Sequence, residues 1–335
     1  MEENKNKKNI RNKNPLLIAL ALVLLLDFGL LAVFFKIRSS ERIEGAGSSV
    51  HAPVTKISYN GRERTVRRNL RTLLVLGTDK YLEDMKTNGP ELYFNYEQCD
   101  FVTVLVFDTA EKTCTPLQLN RETMCDVYRL SINGMVYDTM EMQLCLAHTY
   151  GSGGEDSCEN VLNTVRDNII FGAPIDSYMT FTMDSVPDIT DMVGGVEVTI
   201  EDELAASIDP SFEIGKTVTL KDDMALSFVR VRSNEYLEGN VERMNRQRQY
   251  LEGFTVAARK AAEADADLAS TAVNSLTPYI TTNLSIPEMC DVVNRLAEYE
   301  IKPVVTPEGT LAQGKYAEFH IDNDSLWNLV TELWC

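Results

Sequence analysis

Four arginines lie within seventeen residues of a chain whose net charge is −18. Arg230 and Arg232 come first, and Arg243 and Arg246 follow in a segment that opens at Asn240. Guanidinium groups donate paired hydrogen bonds to anionic oxygens, and like charges repel unless an anion or carboxylates neutralise them. The cluster therefore indicates either a phosphate-binding site or a charged, solvated face.

The position of the second pair favours phosphate. With Asn240 as a helix N-cap, Arg243, Arg246 and Gln247 would lie at i, i+3 and i+4 spacing on the first turns of a helix. Free backbone N–H groups and the helix dipole favour an anion at that end. Gln247 would add a neutral donor or acceptor.

Composition limits the classes of partner. The first fourteen residues carry five basic and two acidic side chains, so the rest of the chain has a net charge of −21. A surface this acidic repels nucleic acid, and no nucleic-acid partner is expected. The 335 residues, 44% of them hydrophobic, are enough for one large domain or two small ones.

A run of twenty residues, 16–35, is apolar apart from Asp27 and Gly29. About 20 apolar residues span a bilayer, whereas the core of a signal peptide has only about 7 to 15. We predict a basic cytoplasmic tail (1–14), an uncleaved transmembrane helix (15–36), a linker with a β-hairpin at Asn60-Gly61 (37–68) and an extracellular domain (69–335). A cleaved signal peptide is the alternative, but no convincing small-x-small site follows the run.

Histidines and cysteines argue against two common chemistries. The chain has three histidines and no Gly-x-Ser-x-Gly motif, so a Ser-His-Asp hydrolase is not expected. Its seven cysteines include no Cys-x-x-Cys pair, which argues against a zinc site, and they leave the disulfide pattern open. A lone histidine such as His148 is more commonly a packed or hydrogen-bonded residue than a ligand.

Apolar runs and helical stripes alternate along the domain. The predicted strands cover 71–79, 100–107, 114–120, 178–183 and 196–200, and the predicted helices cover 139–150, 157–170, 286–299 and the segment from 324. Strands interleaved with helices predict an α/β sheet with helices on both faces. Ligands of such sheets collect at strand ends, where Asp79, Asp100, Arg121 and Glu122 stand.

Seven motifs occur in an order and spacing that resemble the LytR-CpsA-Psr family. They are Leu73–Asp79, Gln98–Asp100, Leu117–Thr123, Gly172–Tyr178, Val193–Val198, Ala225–Arg232 and Arg243–Gln247. The resemblance covers about residues 70–255. It implies a mixed central sheet flanked by helices on both faces. It also implies a membrane-anchored phosphotransferase that moves a glycopolymer from a polyprenyl pyrophosphate carrier to peptidoglycan.

The resemblance also implies roles for single residues. Asp79 and Asp100 match the family's two aspartates that hold Mg²⁺, or Mn²⁺ in its place. The implied pyrophosphate-binding set is Lys80, Gln98, Arg121, Arg230, Arg232, Asn240, Arg243 and Gln247, and the implied catalytic set is Asp79, Arg121, Glu122, Arg230 and Arg232. Lys80, Gln98, Glu122 and Asn240 depart from the family's usual residues, and Gln98 replaces an arginine.

The chemistry is consistent with these residue types. Phosphoryl transfer requires the phosphate oxygens to be neutralised, which arginines and a metal held by carboxylates achieve. Asp79 or Glu122 could accept the proton of the attacking sugar hydroxyl. Two other functions stay open: a hydrolase that transfers the phosphoryl group to water, and a receptor that binds a pyrophosphate lipid without turnover.

Overall fold

The structure is a computed structural model that describes residues 56–79, 93–233, 237–265 and 267–335. The predicted cytoplasmic tail, the predicted transmembrane helix, most of the linker and Lys80 lie outside these residues. Across the described ranges, no helix is both long and apolar enough to cross a bilayer. The anchor at residues 15–36 therefore stays a prediction.

The elements are numbered in chain order. The strands are β1 Lys56–Tyr59, β2 Arg62–Thr65, β3 Leu70–Thr78, β4 Cys99–Asp108, β5 Thr113–Leu119, β6 Met124–Leu130, β7 Val136–Gln143, β8 Ser177–Thr182, β9 Val196–Thr199, β10 Thr217–Leu220, β11 Ile280–Thr282, β12 Glu300–Ile301, β13 Gly309–Gln313 and β14 Ala317–Ile321. The α-helices are α1 Glu155–Asn168, α2 Ser185–Met192, α3 Glu203–Ala206, α4 Asp222–Arg230, α5 Gly239–Ala264, α6 Leu268–Leu276, α7 Ile286–Glu298 and α8 Asn323–Trp334. Two 3₁₀ helices cover Leu144–Thr149 and Thr277–Tyr279.

A mixed six-stranded sheet lies at the centre, in the order β11-β8-β3-β4-β5-β12. Strand β4 runs antiparallel to β3 and β5, whereas β3 and β8 are parallel. Side chains alternate between the faces of a strand, so Leu74 and Leu76 of β3 enter the core that contains α1 and α8. Leu73 faces the opposite cluster, which contains Val273 of α6 and Met289 of α7. The predicted sheet with helices on both faces is confirmed.

The stripe on α1 is core. Val161 and Val165 are fully buried, and Leu162 and Ile169 are nearly so, all within the cluster that covers one face of the sheet. A smaller apolar cluster packs β9 and β10 against α4 and α5. This third cluster fixes α4, which ends at Arg230, and α5, which carries Arg243 and Arg246.

The predicted helix over 139–150 is wrong in its first half. Residues 136–143 form β7, which pairs antiparallel with β6, and only Leu144–Thr149 is helical, as a 3₁₀ turn. Cross-strand pairing outweighs the helical spacing of the apolar residues here, and Arg129 of β6 pairs with Asp138 of β7. The hairpin predicted at Asn60-Gly61 is confirmed, with both residues at positive φ as a tight type I′ turn requires.

Three consecutive strands bring the predicted site to one edge of the sheet. Because β3 and β4 are antiparallel, the end of β3 at Thr78 lies beside the start of β4 at Cys99. Strand β5 ends at Leu119 on the same edge, next to Val102 of β4. Asp79, Asp100 and Arg121 therefore meet although they are far apart in sequence.

Candidate active site

Asp100 lies between two buried arginines. Its Oδ1 is 3.0 Å from Arg121 Nη1, and its Oδ2 accepts a hydrogen bond from Arg243 Nη1 at 2.9 Å. The arginine side chains are only 7% and 2% exposed, and that of Asp100 is 11% exposed. One carboxylate thus holds two guanidinium groups that would otherwise repel each other in a poorly solvated place.

A chain of amide side chains orients Arg243. Arg243 Nη2 donates to Asn240 Oδ1 at 2.6 Å, and Asn240 Nδ2 donates to Asn120 Oδ1 at 2.8 Å. Helix α5 begins at Gly239 after Glu238, so the prediction that Asn240 is the N-cap is wrong. The Asn240 side chain instead connects α5 to the end of β5.

Arg230 and Arg232 are held more loosely. Arg230 Nη2 is 3.5 Å from Asp79 Oδ1, and Arg232 Nη1 is 3.6 Å from Glu122 Oε1. Their side chains are 58% and 35% exposed, respectively. Long, partly solvated ion pairs contribute little energy, so an incoming anion can replace either carboxylate at small cost.

Gln247 and Arg246 both donate hydrogen bonds to backbone carbonyls of the segment from Phe228 to Val231. Gln247 Oε1 accepts from Gln118 Nε2 at 3.2 Å, and its Nε2 donates to the carbonyl of Val229 at 3.3 Å. Both polar groups of this predicted pyrophosphate ligand therefore bind protein groups.

The guanidinium of Arg246 also binds protein groups. It donates to the carbonyls of Phe228 (3.1 Å) and Val231 and to Asp202 Oδ2 at 2.8 Å. These bonds fix the segment from Phe228 to Val231, which includes Arg230 and precedes Arg232. Arg246 is thus a buried support for the two loosely held arginines.

We expect Arg246→Met to lower the free energy of unfolding by about 3 kcal/mol, because it leaves Asp202 and two carbonyls without their donor. Urea denaturation measures this loss. Arg248→Met is the control, since Arg248 lies on the same helix and donates to the exposed side chain of Asn245 one turn earlier. An equal loss in both variants would contradict the supporting role of Arg246.

Two carboxylates at the site have raised pKa values. Burial, and next the nearby charge of Asp100, raise the pKa of Asp79. Burial raises the pKa of Glu122, which is 5% exposed, and its Oε2 has no hydrogen-bond partner among the described residues. Glu122 is thus a buried carboxylate with a free oxygen, and a proton is easily retained there.

The donor set fits a divalent metal shared with a ligand. Asp100 is near enough to Asp79 for its charge to raise the pKa of Asp79. In the described part of the chain, no three His, Cys, Asp or Glu side chains converge as a metal-binding group. Mg²⁺ commonly takes one or two carboxylates together with phosphate oxygens and water, so two aspartates are sufficient only when a phosphate ligand is bound.

The LytR_cpsA_psr family model matches residues 37–333. The chain belongs to this family. The polyisoprenyl-teichoic acid–peptidoglycan teichoic acid transferase TagU of Bacillus licheniformis is 28% identical over 199 residues, which are 56% of this chain and 58% of TagU. The TagU of Enterococcus faecalis is 27% identical over 243 residues, 68% of each chain. The chain therefore spans less than two thirds of the first of these relatives.

The fold agrees with that of solved family members. A structure of TagT bound to LIIa-WTA matches with a TM-score of 0.58 at 18% identity, over 79% of this chain and 90% of that one. Both the LytR-CpsA-Psr resemblance and the mixed central sheet flanked by helices are thereby confirmed.

Sequence reasoning missed three site residues of this family member. Asn120 joins Asn240 to the backbone N–H of Glu122, Asp202 holds Arg246, and Cys145 Sγ accepts from Arg121 Nη2 at 2.8 Å. Asn120 and Cys145 are uncharged, and Asp202 stands in an acidic run, Glu201–Glu203, far in sequence from the arginines. Only the position of Asn120, directly before Arg121, marked it in advance.

His148 and Arg129 have other roles. His148 is fully buried, its Nδ1 lies 3.0 Å from the carbonyl oxygen of Glu97, and burial lowers its pKa to about 4. Arg129 donates hydrogen bonds to both carboxylate oxygens of Asp138 on the neighbouring strand β7. Gln98 itself accepts a hydrogen bond from Arg121 Nη2.

Proposed function

We propose that this chain transfers a glycopolymer from a polyprenyl pyrophosphate carrier to peptidoglycan. Membership of the LytR-CpsA-Psr family supports the proposal, as do the names of its TagU relatives. The observation that carries it is the arrangement of the arginines. Two are buried and fixed by Asp100, and two are exposed and loosely paired beside them.

Two pairs of arginines, Arg121 with Arg243 and Arg230 with Arg232, would bind a diphosphate in different ways. Arg121 and Arg243 cannot move far, so they provide a fixed positive potential at the sheet edge. Arg230 and Arg232 exchange Asp79 and Glu122 for the nonbridging oxygens, since a phosphate offers stronger, paired acceptors. Asp79, once released by Arg230, and Asp100 would hold Mg²⁺ or Mn²⁺ together with diphosphate oxygens, and the metal would neutralise charge that develops on them.

The proposed transfer is a single displacement at phosphorus. The hydroxyl oxygen of the acceptor sugar forms a bond to the phosphorus that carries the glycopolymer. The bond from that phosphorus to the bridging oxygen breaks, and polyprenyl phosphate leaves. Glu122 accepts the hydroxyl proton, a role that suits a carboxylate whose pKa is raised by burial.

The experiment that tests this function uses the full-length chain, a short polyprenyl pyrophosphate-linked saccharide, Mg²⁺ and peptidoglycan. We expect the saccharide to appear on peptidoglycan and polyprenyl phosphate to be released. Phosphate release that needs no acceptor would instead identify a hydrolase. Binding without turnover when peptidoglycan is supplied would identify a receptor.

We expect Arg230→Ala and Arg232→Ala each to weaken binding of geranylgeranyl pyrophosphate by about tenfold or more, since each loses a charge-assisted hydrogen bond. The thermal unfolding midpoint should not change, because both side chains are partly exposed. Calorimetric titration measures the affinity, and Arg64→Ala on the β1–β2 hairpin is the control. Unchanged affinity in a folded variant would exclude direct contact by that arginine.

We further propose that the chain is a single-pass membrane protein whose residues 69–335 lie outside the cell. The twenty-residue apolar run and the basic tail support this orientation, and a carrier with a lipid tail holds its pyrophosphate at the bilayer surface. A tethered domain would meet that substrate at high effective concentration.

Protease treatment of intact protoplasts tests the topology. We expect the folded domain to be digested, or shortened at its exposed loops, without lysis of the cells. Antibodies to the C-terminal segment detect the loss, and a cytoplasmic enzyme provides the control. Survival of residues 69–335 until lysis would place the domain in the cytoplasm and contradict the proposed cell-wall function.

A further inference from the structure

Two neutral side chains bind the guanidinium of Arg121 from separate parts of the chain. Arg121 Nη2 donates to Gln98 Oε1, just before β4, and to Cys145 Sγ at 2.8 Å, in the 3₁₀ turn after β7. Nη1 lies 3.0 Å from Asp100 Oδ1. The plane of the guanidinium is therefore set by three groups, of which only Asp100 is charged.

Backbone contacts make the arrangement continuous. The carbonyl of Gln98 accepts from the N–H of Asp79 at 3.4 Å, so one residue touches both the Asp79 backbone and the Arg121 side chain. The N–H of Cys145 donates to the carbonyl of Arg121 at 3.0 Å. Cys145 Sγ also lies 3.9 Å from Gln98 Oε1. Cys145 thus contacts Arg121 through both its backbone and its side chain, whereas Gln98 connects the Arg121 side chain to the Asp79 backbone.

Neutral acceptors have a particular advantage here. A carboxylate in place of Gln98 or Cys145 would also orient the guanidinium, but it would cancel the positive charge that an anionic ligand requires. The arginine that the family usually has at position 98 would add charge, but beside Arg121 as it is oriented in this chain it would bring two guanidinium groups close together, where they repel. An amide and a thiol hold Arg121 and leave its charge available.

We propose that Gln98 and Cys145 are positioning residues, which fix Arg121 in the orientation that receives a diphosphate and couple it to Asp79. The inference rests on the proposed function for its ligand. The contact itself does not depend on that function. On this proposal, the replacement of the usual arginine by Gln98 does not impair binding of the diphosphate, because Gln98 positions Arg121.

The first test measures affinity for geranylgeranyl pyrophosphate with Mg²⁺ by calorimetric titration of the full-length chain. Gln98→Met removes the acceptor at similar size, and we expect about fivefold weaker binding. Gln98→Arg should weaken it by more than about tenfold, because it adds repulsion as well. Cys145→Ala should lose affinity by several-fold, and Cys145→Ser, which keeps an acceptor, should lose less.

Controls separate positioning from general damage. Gln313→Arg makes the same charge change on exposed β13, and Cys114→Ala makes the same truncation in the opposite core cluster. Both should bind the probe as the wild type does. Binding by Gln98→Arg that equals or exceeds that of the wild type would overturn the inference. If Gln98→Arg does not fold, wild-type affinity in both Gln98→Met and Cys145→Ala would overturn the inference.

The second test needs no ligand. Thermal unfolding midpoints of Gln98→Met, Arg121→Met and the double variant form a cycle, and for residues in contact the double variant should lose less than the sum of the single losses. Additive losses would overturn the contact. If the wild type binds no pyrophosphate lipid, the proposed function fails, and the unfolding cycle still decides whether Gln98 holds Arg121.

Discussion

Asp100→Asn is expected to abolish transfer and to lower the free energy of unfolding by about 3 to 5 kcal/mol. The carboxylate of Asp100 holds Arg121 through one oxygen and Arg243 through the other, and both arginines are buried. Removal of the charge leaves two guanidinium groups close together without a counter-ion, which is among the costlier single changes in a protein. The variant also loses one of the two proposed metal ligands.

Asp79→Asn is the matched comparison. Asp79 is 39% exposed and has only a 3.5 Å contact with Arg230, so the substitution should change the free energy of unfolding by less than about 1 kcal/mol. Transfer should still be lost if Asp79 holds the metal. Urea denaturation and the transfer assay, performed on both variants, separate the two effects. Full activity of Asp79→Asn, or of the wild type in excess chelator, would contradict the proposed metal site.

This pair of variants also bears on the role of Asp100. Sequence reasoning assigns both aspartates to a metal, which predicts the same outcome for each. The structure adds two ion pairs to Asp100 and only a loose one to Asp79. The difference in the free energy of unfolding between the two variants therefore measures how much the ion pairs of Asp100 stabilise the fold, separately from any catalytic role.

The edge of the sheet that carries the site could be predicted from sequence. Apolar runs that end at Thr78 and Leu119, and one that begins at Cys99, identify strands whose ends bear charged groups, and antiparallel pairing brings such ends together. The types of residue then indicate anion binding. The helix predicted from residue 324 is also confirmed, since α8 begins at Asn323 after Asp322, whose side chain caps its N-terminus.

The pairing of individual side chains could not be predicted. Asn240 and Asn120 are 120 residues apart, and Arg243 and Asp100 are 143 apart, so only the packing of α5 against the sheet edge decides these partners. The same holds for Cys145, which has no sequence signal because its contact with Arg121 depends on the turn after β7. The sequence predicts a helix through 139–143, where the structure has the end of β7 that places this turn.

Glu122→Gln is expected to reduce the rate of transfer by about 10² to 10⁴, the usual contribution of a general base. The amide keeps the size of the side chain but cannot accept the hydroxyl proton. Binding of geranylgeranyl pyrophosphate should be unchanged or tighter, because Arg232 loses a carboxylate that competes with the ligand. Glu111→Gln, an exposed carboxylate outside the site, is the control.

The pH dependence of the transfer rate is an independent test of Glu122 as the proton acceptor. Only the ionised carboxylate accepts a proton, and burial raises the pKa of Glu122, so the wild-type rate should fall as the pH drops through that raised pKa and should be full above it. In Glu122→Gln this acidic limb should disappear from the residual rate. If the variant keeps both the rate and the acidic limb, the proton acceptor is not Glu122, and Asp79, whose pKa is also raised by burial, becomes the candidate. Loss of rate with loss of lipid binding would instead mean that Glu122 acts by orienting Arg232, since a proton acceptor contributes to the transfer step and not to the affinity for the diphosphate.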